Sequence, residues 1–280
     1  MSTFSEKLKY SSELNKSLLC VGLDPDPSAA AISDMLQFNK AIINATKDIV
    51  CAYKPNLAFF DALGTDGLIV LKATIEHIRD VAPNVVVIGD AKRGDIASTN
   101  KVHAKAMFDF LGFDAITVNA YAGLQALAPF VEYADRGIFI WCRSSNNDIG
   151  VQDVKVVSGD GQISMFLWLA NRISDWDKYG NVGIIAGATY PGAIALIRKI
   201  CPEMPFLVPG VGAQEGELKR ALLSGMDRFG RNIIMSSSRG VLYASSSRSD
   251  YSELARSKAI EIRNNINSIL EDEGKNWAKT

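Results

Sequence analysis

Cysteine and histidine are scarce in this sequence, which limits the site chemistry that it can support. Three of the four cysteines fall inside apolar runs, as small buried side chains do; the four are Cys20, Cys51, Cys142 and Cys201. Their wide spacing shows neither a disulfide framework nor a zinc-binding pattern. The two histidines, His77 and His103, lie in helical patterns, where a lone histidine is more often structural than catalytic. We assign neither histidine a role.

An excess of charge of one sign is also missing. The 30 Lys and Arg residues face 31 Asp and Glu residues, and a net charge of −1 gives no general attraction for nucleic acid. An anionic ligand would therefore need local basic groups. No apolar run approaches the ~18 residues of a membrane span. Residues 1–16 are charged and amphipathic, without the apolar segment of a signal peptide, so the sequence favours a cytoplasmic protein.

Short runs rich in Val and Ile recur along the chain, with helical patterns between them. Eight such runs are candidate strands, at residues 17–23, 49–55, 84–90, 115–120, 137–143, 182–188, 205–211 and 232–238. Nearly continuous apolar strands that alternate with helices indicate a parallel sheet covered by helices on its faces. We therefore predict an α/β fold, a (β/α)8 TIM barrel with its active site at the C-terminal mouth of the strands. A doubly wound open sheet is the alternative.

The whole chain, residues 1–280, is expected to form one barrel domain, because no low-complexity linker interrupts it and no residues remain for a second domain. Residues 1–16 are predicted to form an N-terminal helix. Residues 144–180 depart from the repeating unit, and we interpret them as a polar loop, a short extended piece, a Gly-Asp-Gly turn and a helix. In residues 249–277, apolar residues at steps of four and three indicate a closing helix; they are Ala255, Ala259, Ile262, Ile266 and Ile269.

Charged residues end the third candidate strand, in the segment VVVIGDAKRGDIASTN at residues 85–100. Side chains alternate faces along a strand, so Asp90 and Lys92 are predicted to point together into the barrel mouth. Lys54 ends the second strand in CAYKPN, where it could interleave its charge with theirs. Such a network can keep a lysine protonated as a general acid. Asp95 could take part in catalysis, or it could be the N-cap of the following helix, because Asp is a favoured N-cap residue.

Three motifs in a fixed order carry a resemblance to a known family. DAKRGDIAST, preceded by YKPN one strand earlier and by VGLDPDP at the first strand, is similar to orotidine 5'-phosphate decarboxylase of the longer-chain subgroup. The similarity extends over about residues 18–240. D-x-K-x-x-D alone is shared with related sugar-phosphate enzymes, but its order with the other motifs is specific. The resemblance implies conversion of orotidine 5'-phosphate to uridine 5'-phosphate, the last step of de novo pyrimidine nucleotide synthesis, without a metal or cofactor.

The resemblance also implies roles for a Lys-Asp-Lys-Asp array. Asp90 would face the substrate carboxylate and favour its departure, while Lys92 would stabilise and then protonate the carbanion at C6 of the pyrimidine. Lys54 and Asp95 would hold this arrangement. Members of the family are homodimers, which implies that Asp95 and Thr99 reach into the site of the neighbouring subunit.

Further residues match the family's substrate contacts. Asp24, in GLDPD, matches the residue that binds the ribose hydroxyls; on local sequence alone, an Asx turn before Pro25 is a reasonable alternative, and the resemblance favours the ribose contact. Ser145 matches the serine that reads the pyrimidine edge, and the adjacent Ser144 is the alternative. These matches imply that both sugar and base are held at the mouth.

The phosphate is expected at the last two strands, where barrels often bind phosphate. Gly210 and Gly212 would let backbone N–H groups approach an oxyanion, and Arg239 and Gly240 follow the eighth strand. By the family match, Gln214 and Arg239 grip the phosphate. Without that match, Gln214 would be a polar residue in the first turn of a helix and Arg239 an exposed loop cation.

One departure and two rival interpretations accompany the resemblance. After the fourth strand the family pattern NPYMG is replaced by NAYAG, with Ala120 and Ala122, which affects the shape of this loop more than the chemistry. A magnesium-dependent sugar-phosphate decarboxylase or aldolase of the same superfamily would carry a carboxylate where this chain has Lys54, and a cation there would repel the metal. A barrel that binds nucleotide without catalysis is the second rival, against which the complete charge array argues.

Overall fold

Eight parallel strands close into a barrel in the computed structural model of the chain, which describes residues 3–26, 34–146, 148–159, 161–211, 215–247 and 249–277. Within these ranges the strands, in chain order, are β1 Leu19–Leu23, β2 Ala52–Pro55, β3 Val86–Arg93, β4 Ala115–Val118, β5 Gly137–Arg143, β6 Lys155–Ser158, β7 Gly161–Ser164, β8 Val182–Ala186, β9 Phe206–Pro209 and β10 Ile233–Ser237. All except β6 and β7 belong to the barrel.

The barrel closes through parallel pairing of β1 with β10, in which Leu19 lies opposite Met235 and Cys20 opposite Ser236. The order around the barrel follows the chain, with β8 beside β5 because β6 and β7 form a separate antiparallel hairpin. The predicted (β/α)8 barrel is thus confirmed. The alternative, an open doubly wound sheet, is wrong because its two edge strands would not be paired.

Helices surround the barrel; α1 precedes the first strand, and the others lie between or after the strands. They are α1 Phe4–Asn15, α2 Met35–Thr46, α3 Leu57–Asp61, α4 Thr65–Val81, α5 Ala97–Ala104, α6 Ala128–Val131, α7 Met165–Trp176, α8 Pro191–Ile200, α9 Glu215–Gly225, α10 Arg239–Leu242 and α11 Tyr251–Asp272. A π-helix, Lys105–Phe110, continues α5, and 3₁₀ turns occupy Leu124–Leu127 and Val151–Asp153. Within the described ranges, none of these helices has the length and apolar character that crossing a bilayer requires.

The inside of the barrel is packed with apolar side chains, and α1 closes its N-terminal end. Phe4 of α1 meets Phe139 of β5 edge to face, with 5.7 Å between the ring centroids. Gly137 begins β5 directly beneath Phe4, where a Cβ atom would come within 2.6 Å of the ring. The inner cluster contains Phe4, Leu8, Cys20, Cys51, Ala52, Val86, Ile88, Ala115, Phe139, Ile185, Leu207 and Ile234. The filled interior leaves the opposite, C-terminal end as the place for a site.

Residues 144–180 form more regular structure than the sequence indicates. Instead of a single extended piece, the segment contains an antiparallel pair, β6 and β7, with Lys155 opposite Ser164 and Ser158 opposite Gly161. Asp160, the centre of the predicted Gly-Asp-Gly turn, lies outside the described residues. The second strand was not foreseen because its sequence, GQIS, has no apolar alternation. Helix α7 then returns the chain to β8.

Helix α11 packs the residues that its sequence spacing singles out. Ala255, Ala259, Ile262, Ile266 and Ile269 are all buried. Arg256, on the same helix, forms two hydrogen bonds of 2.6 and 2.8 Å with the carboxylate of Asp48, which follows α2. The helix thereby covers β1 and α2 at the seam where the barrel closes.

Candidate active site

Three charged side chains of alternating sign lie in contact at the C-terminal mouth. Lys54, on β2, places its Nζ 3.0 Å from Oδ2 of Asp90, on β3, and Lys92 places its Nζ 2.7 Å from Oδ1 of the same carboxylate. The side chains of Lys54 and Asp90 are only 6% and 12% exposed, whereas that of Lys92 is 48% exposed. Lys54 and Asp90 therefore form the buried part of the array, and Lys92 presents its ammonium group to the open mouth.

Asp90 and Lys92 reach the mouth through an irregularity in the β3–β4 ladder rather than through simple alternation. Gly89 pairs with Ile116 and Arg93 pairs with Val118, so the three residues 90–92 lie opposite a single residue, Thr117. Lys92 has a φ angle of 46°, in the left-handed region that non-glycine residues rarely adopt. The ladder resumes where Asn119 N donates to Arg93 O at 2.7 Å.

Gly94 follows the last residue of β3, and there is a clear steric reason for a glycine at this position. A Cβ atom at this position would lie 2.2 Å from the carbonyl oxygen of Asn119, so no larger residue fits without moving β4 or the loop that follows it. The close approach fixes the point at which β3 turns away from the barrel.

The opposite charges of the array hold each other ionised. Burial alone raises the pKa of Asp90, but the charges of Lys54 and Lys92 and their hydrogen bonds lower it to about 2. Burial alone lowers the pKa of Lys54, but the charges of Asp24 and Asp90 outweigh burial and raise its pKa above the ordinary value. At neutral pH the mouth therefore contains a fixed carboxylate next to a fixed ammonium group.

Asp24 lies just beyond β1 with one carboxylate oxygen in need of a partner. Its Oδ1 is buried, and no hydrogen-bond donor in the described part of the chain reaches it. Tyr243 braces the turn: its Oη donates to Asp24 O at 3.2 Å and accepts from Asp26 N at 2.8 Å. Gly22 makes room, because a Cβ there would overlap the Ser238 hydroxyl. A buried acceptor without a donor suits a hydroxyl-bearing ligand.

Asp95 stands apart from the other three charged residues in the described chain. It is exposed, and its Oδ1 accepts a hydrogen bond of 2.6 Å from Ile96 N. The buried side chain of Asn100 braces the backbone, since its Oδ1 accepts from Asp95 N at 3.0 Å and its Nδ2 donates to Asp95 O at 2.7 Å. The alternative interpretation of Asp95 as an N-cap is wrong, because α5 begins at Ala97 and its N-cap is Ile96. Thr99, in the first turn of α5, is half-buried.

The two candidate serines after β5 have different surroundings. Ser144 is buried, and its Oγ accepts a hydrogen bond of 2.9 Å from Asn146 N. Ser145 is half-buried and packs against Gly187, after β8, where a Cβ would lie 2.4 Å from Ser145 Cα. Its backbone is held by Thr189, whose Oγ1 donates to Ser145 O at 2.9 Å. Ser145 thus sits between the ends of neighbouring barrel strands with its hydroxyl less enclosed than that of Ser144.

On the expected phosphate side, Arg239 and Gly240 begin α10 directly after β10, and both are exposed. Gly210, after β9, has a φ angle of 87°, which suits glycine. The other two residues assigned from the sequence, Gly212 and Gln214, lie outside the described residues. Arg239 is therefore an exposed cation at the end of β10, on this side of the mouth.

The loop after β4 borders a different cavity. Tyr121 is almost fully exposed, and its backbone N donates to Asn119 Oδ1 at 2.9 Å. Beside the loop is a cavity of about 920 Å³ whose lining includes Trp141, Trp168 and Trp176. The lining also includes residues of the loop after β4 and of α7, but not Lys54, Asp90 or Lys92, so this cavity is separate from the charged array.

Two residues that sequence reasoning passed over support the site from behind. Thr117, buried on β4, hydrogen-bonds to both Asp90 and Lys92. Arg143, buried at the end of β5, forms a salt bridge of 3.1 Å with Asp153, and its guanidinium carbon lies 3.7 Å from the centroid of the Tyr190 ring. These contacts hold the start of the segment that contains Ser145. Nothing in the sequence singles out Thr117 from other β-branched strand residues; Arg143, a charge at the end of an apolar strand, gave a weak signal.

The closed (β/α)8 barrel has its lysine–aspartate–lysine array at the carboxyl ends of the second and third strands, where barrel enzymes have their active sites, and these features together define the class of (β/α)8 barrel enzymes. The model of the Orotidine 5'-phosphate decarboxylase / HUMPS family matches residues 17–254, and the chain belongs to this family.

Individual relatives resemble the chain over almost its whole length. It is 44% identical to the orotidine 5'-phosphate decarboxylase of Thermomicrobium roseum over 278 residues, 96% of this chain and 97% of the relative. A relative of the same name from Dehalococcoides mccartyi is 44% identical over 269 residues, 94% of this chain and 97% of the relative. Among solved structures, Leishmania donovani OMP decarboxylase superposes with a TM-score of 0.82 at 35% identity, covering 96% of this chain and 98% of that one.

Proposed function

We propose that this chain decarboxylates orotidine 5'-phosphate to uridine 5'-phosphate without a metal ion or an organic cofactor. The observation that carries the proposal is the buried chain of contacts Lys54–Asp90–Lys92, which ends in an ammonium group at the mouth. Family membership and the names of the relatives support the same reaction.

The chemistry needs one carbon–carbon bond to break and one proton to arrive. With the substrate carboxylate set against ionised Asp90, repulsion between the two negative charges is relieved as CO₂ departs. The electron pair of the broken bond stays on C6. Lys92, the more exposed cation of the array, stabilises that developing charge and donates a proton from Nζ to C6. Lys54 keeps Asp90 ionised throughout, and Lys92 regains its proton from solvent.

Substrate groups remote from C6 are assigned to the residues around the array. The unpaired Oδ1 of Asp24 accepts hydrogen bonds from the ribose hydroxyls, and Ser145 reads the pyrimidine edge. Arg239, with Gly240, Gln214 and Gly212, binds the phosphate. Contacts far from the reacting atom can supply binding energy that organises the charges around it.

The array acquires its fourth member from a second copy of the chain. Asp95 is exposed, fixed by Asn100, and apart from the other three charges of its own described chain. Ile96, Thr99 and Val102 follow at steps of three and so share one side of α5, and the apolar side chains of Ile96 and Val102 are exposed. An exposed apolar face beside a rigidly held carboxylate supports a homodimer in which Asp95 and Thr99 enter the partner's site.

The magnesium-dependent rival has less support. It requires a carboxylate at the end of the second strand, where this chain buries the ammonium group of Lys54 against Asp90. The non-catalytic rival leaves the close contact of three adjacent charges, two of them buried, without a purpose.

The deciding experiment follows the loss of orotidine 5'-phosphate absorbance with purified protein in excess EDTA. The wild-type protein is expected to turn over, and Asp90→Ala to lose roughly 1000-fold in kcat, because it leaves two lysines without their shared carboxylate. Asp61→Ala, at an exposed position on α3, is the matched control and should remain active. Turnover that EDTA abolishes would favour the metal-dependent rival, and no turnover with or without magnesium would contradict the proposal.

A further inference from the structure

Thr117 is the residue opposite the irregular part of β3, and its side chain contacts both reactive neighbours. Its Oγ1 accepts a hydrogen bond from Lys92 N at 3.0 Å and donates one to Asp90 Oδ1 at 2.9 Å. A single hydroxyl thus connects the backbone of the proposed proton donor with the carboxylate that faces the leaving group. Thr117 is 1% exposed, so it is screened from any substrate in the mouth.

The first bond compensates for the irregular ladder. Three residues of β3 face one residue of β4, so the N–H of Lys92 has lost its regular position against a β4 carbonyl. The left-handed conformation of Lys92 carries a conformational cost and persists only where the surroundings impose it. The hydroxyl of Thr117 satisfies the N–H of Lys92 in that conformation, which aims the side chain back over Asp90.

The second bond orients the carboxylate. Asp90 accepts a hydrogen bond from Lys54 on Oδ2 and hydrogen bonds from both Lys92 and Thr117 on Oδ1. Because Thr117 is fixed on β4, its donor prevents the carboxylate plane from turning with the flexible Lys92 side chain. A hydroxyl is required for this arrangement because only a group that both donates and accepts can serve Asp90 and Lys92 at once.

We propose that Thr117 is a positioning residue for the decarboxylation, a clamp that fixes the Lys92 backbone and the Asp90 carboxylate in the geometry that the transition state needs. The inference rests on the proposed function for its kinetic consequence and on the geometry of the described residues for the clamp itself. Thr117 acts through its two neighbours and touches no reacting atom.

The test compares Thr117→Val, which keeps the branched shape and removes the hydroxyl, with Thr117→Ser, which keeps the hydroxyl. In Thr117→Val, kcat is expected to fall roughly 10- to 100-fold, because a hydrogen bond to a charged group is lost and Lys92 N is left unpaired. KM should change little, since Asp24, Ser145 and Arg239 are untouched. Thr117→Ser should recover kcat to within about threefold of the wild type.

Thr74→Val is the matched control. Thr74 is also fully buried, and its Oγ1 donates to Val70 O at 2.8 Å in α4, away from the array. It should lose stability while keeping kcat, which separates loss of a buried hydroxyl from loss of the clamp. If Thr117→Val does not fold, Thr117→Ala removes the same hydroxyl without adding an apolar group in its place, and the comparison with Thr117→Ser is unchanged.

A second readout is independent of turnover. Amide hydrogen exchange at Lys92 should accelerate in Thr117→Val and stay at the wild-type rate in Thr117→Ser, because the donor of the first bond is this amide. If the wild-type protein had no decarboxylase activity, the proposed function would be wrong. The exchange rates at Lys92 would still show whether Thr117 fixes the Lys92 backbone. Normal kcat in Thr117→Val, a defect in KM alone, equal damage in Thr117→Ser, or unchanged exchange at Lys92 would each overturn the clamp.

Discussion

Asp90 receives hydrogen bonds from three side chains and stays ionised because two of them are cations. Its pKa of about 2 lies below the ordinary value of 3.8, so the folded protein binds a proton there less readily than the unfolded chain does. Stabilisation from a lowered carboxyl pKa is complete above the unfolded value and is lost as the pH falls through the folded value. The stabilisation that Asp90 contributes is therefore lost as the pH falls from about 4 to about 2.

Replacing Asp90 by Asn should flatten the acid dependence of stability in that window. Between pH 5 and pH 2 the wild type should lose about 2 kcal/mol of unfolding free energy more than Asp90→Asn does, because the variant has no carboxyl to protonate. Urea unfolding at a series of pH values measures the difference. Asp61→Asn, exposed on α3, should follow the wild-type curve, and parallel curves for all three proteins would contradict the expected pKa.

Single residues were predictable where charge broke an apolar pattern. Lys54, Asp90 and Lys92 are charges at the ends of apolar runs, so barrel geometry was enough to predict that they meet at the mouth, although the ladder irregularity that carries Asp90 and Lys92 there was not predicted. The role of Thr117 was not predicted because threonine is an ordinary strand residue inside AITV, and its role depends on a ladder irregularity that has no signal in the sequence. The left-handed conformation of Lys92 was not predicted for the same reason.

Among the elements, α1 does more than precede the first strand. Phe4 and Leu8 enter the inner cluster of the barrel, and the ammonium group of Lys7 pairs with the carboxylate of Asp114, which also accepts a hydrogen bond of 2.7 Å from Val87 N. The helix is thus fastened to the N-terminal end of the barrel by packing and by charge, at the end opposite the array.

Phe4→Ala should therefore destabilise the fold without touching the chemistry. Loss of a fully buried aromatic side chain should lower the free energy of unfolding by about 3 kcal/mol, while kcat/KM stays within about twofold of the wild type. Urea unfolding and turnover assays measure the two quantities. Tyr10→Ala changes an exposed aromatic residue on the same helix and should cost little; an equal loss in both variants would show that α1 does not close the barrel interior.

Elements were predictable in proportion to the regularity of their patterns. The eight barrel strands and α11 follow from apolar runs and from helical spacing. Only one of the two strands of the β6–β7 hairpin was predicted, because a short polar strand such as GQIS shows no alternation of apolar and polar residues. The start of α5 was misjudged when Asp95 was considered as a cap, since the cap is an apolar residue, Ile96.

At the scale of the whole molecule, the proposed sharing of Asp95 makes activity a property of two chains. A site would take Lys92 from one chain and Asp95 from the other, so neither single variant could complete a site by itself. Mixing Lys92→Ala with Asp95→Ala, with subunit exchange, should restore about a quarter of wild-type activity, because half of the dimers are mixed and each has one intact site.

The matched control mixes Lys92→Ala with Asp90→Ala. These two residues come from the same strand and contact each other within one chain, so mixed dimers contain no intact site and should stay inactive. Activity after mixing, measured by loss of substrate absorbance, distinguishes the two combinations. Recovery in both mixtures, or in neither, would contradict shared sites.

Closure of the barrel through β1 and β10 sets an order of events during synthesis of the chain. Leu19 and Met235 are about 200 residues apart, so β1 remains an unpaired edge until β10 has left the ribosome. The array comes from β2 and β3, braced by β4, which are consecutive neighbours and can pair while the sheet is still open. Asp24, after β1, and Arg239, after β10, come to the ends of neighbouring strands only after the last barrel strand docks. A nascent chain can therefore assemble its charge array early but completes the proposed nucleotide site only after β10 has been synthesised.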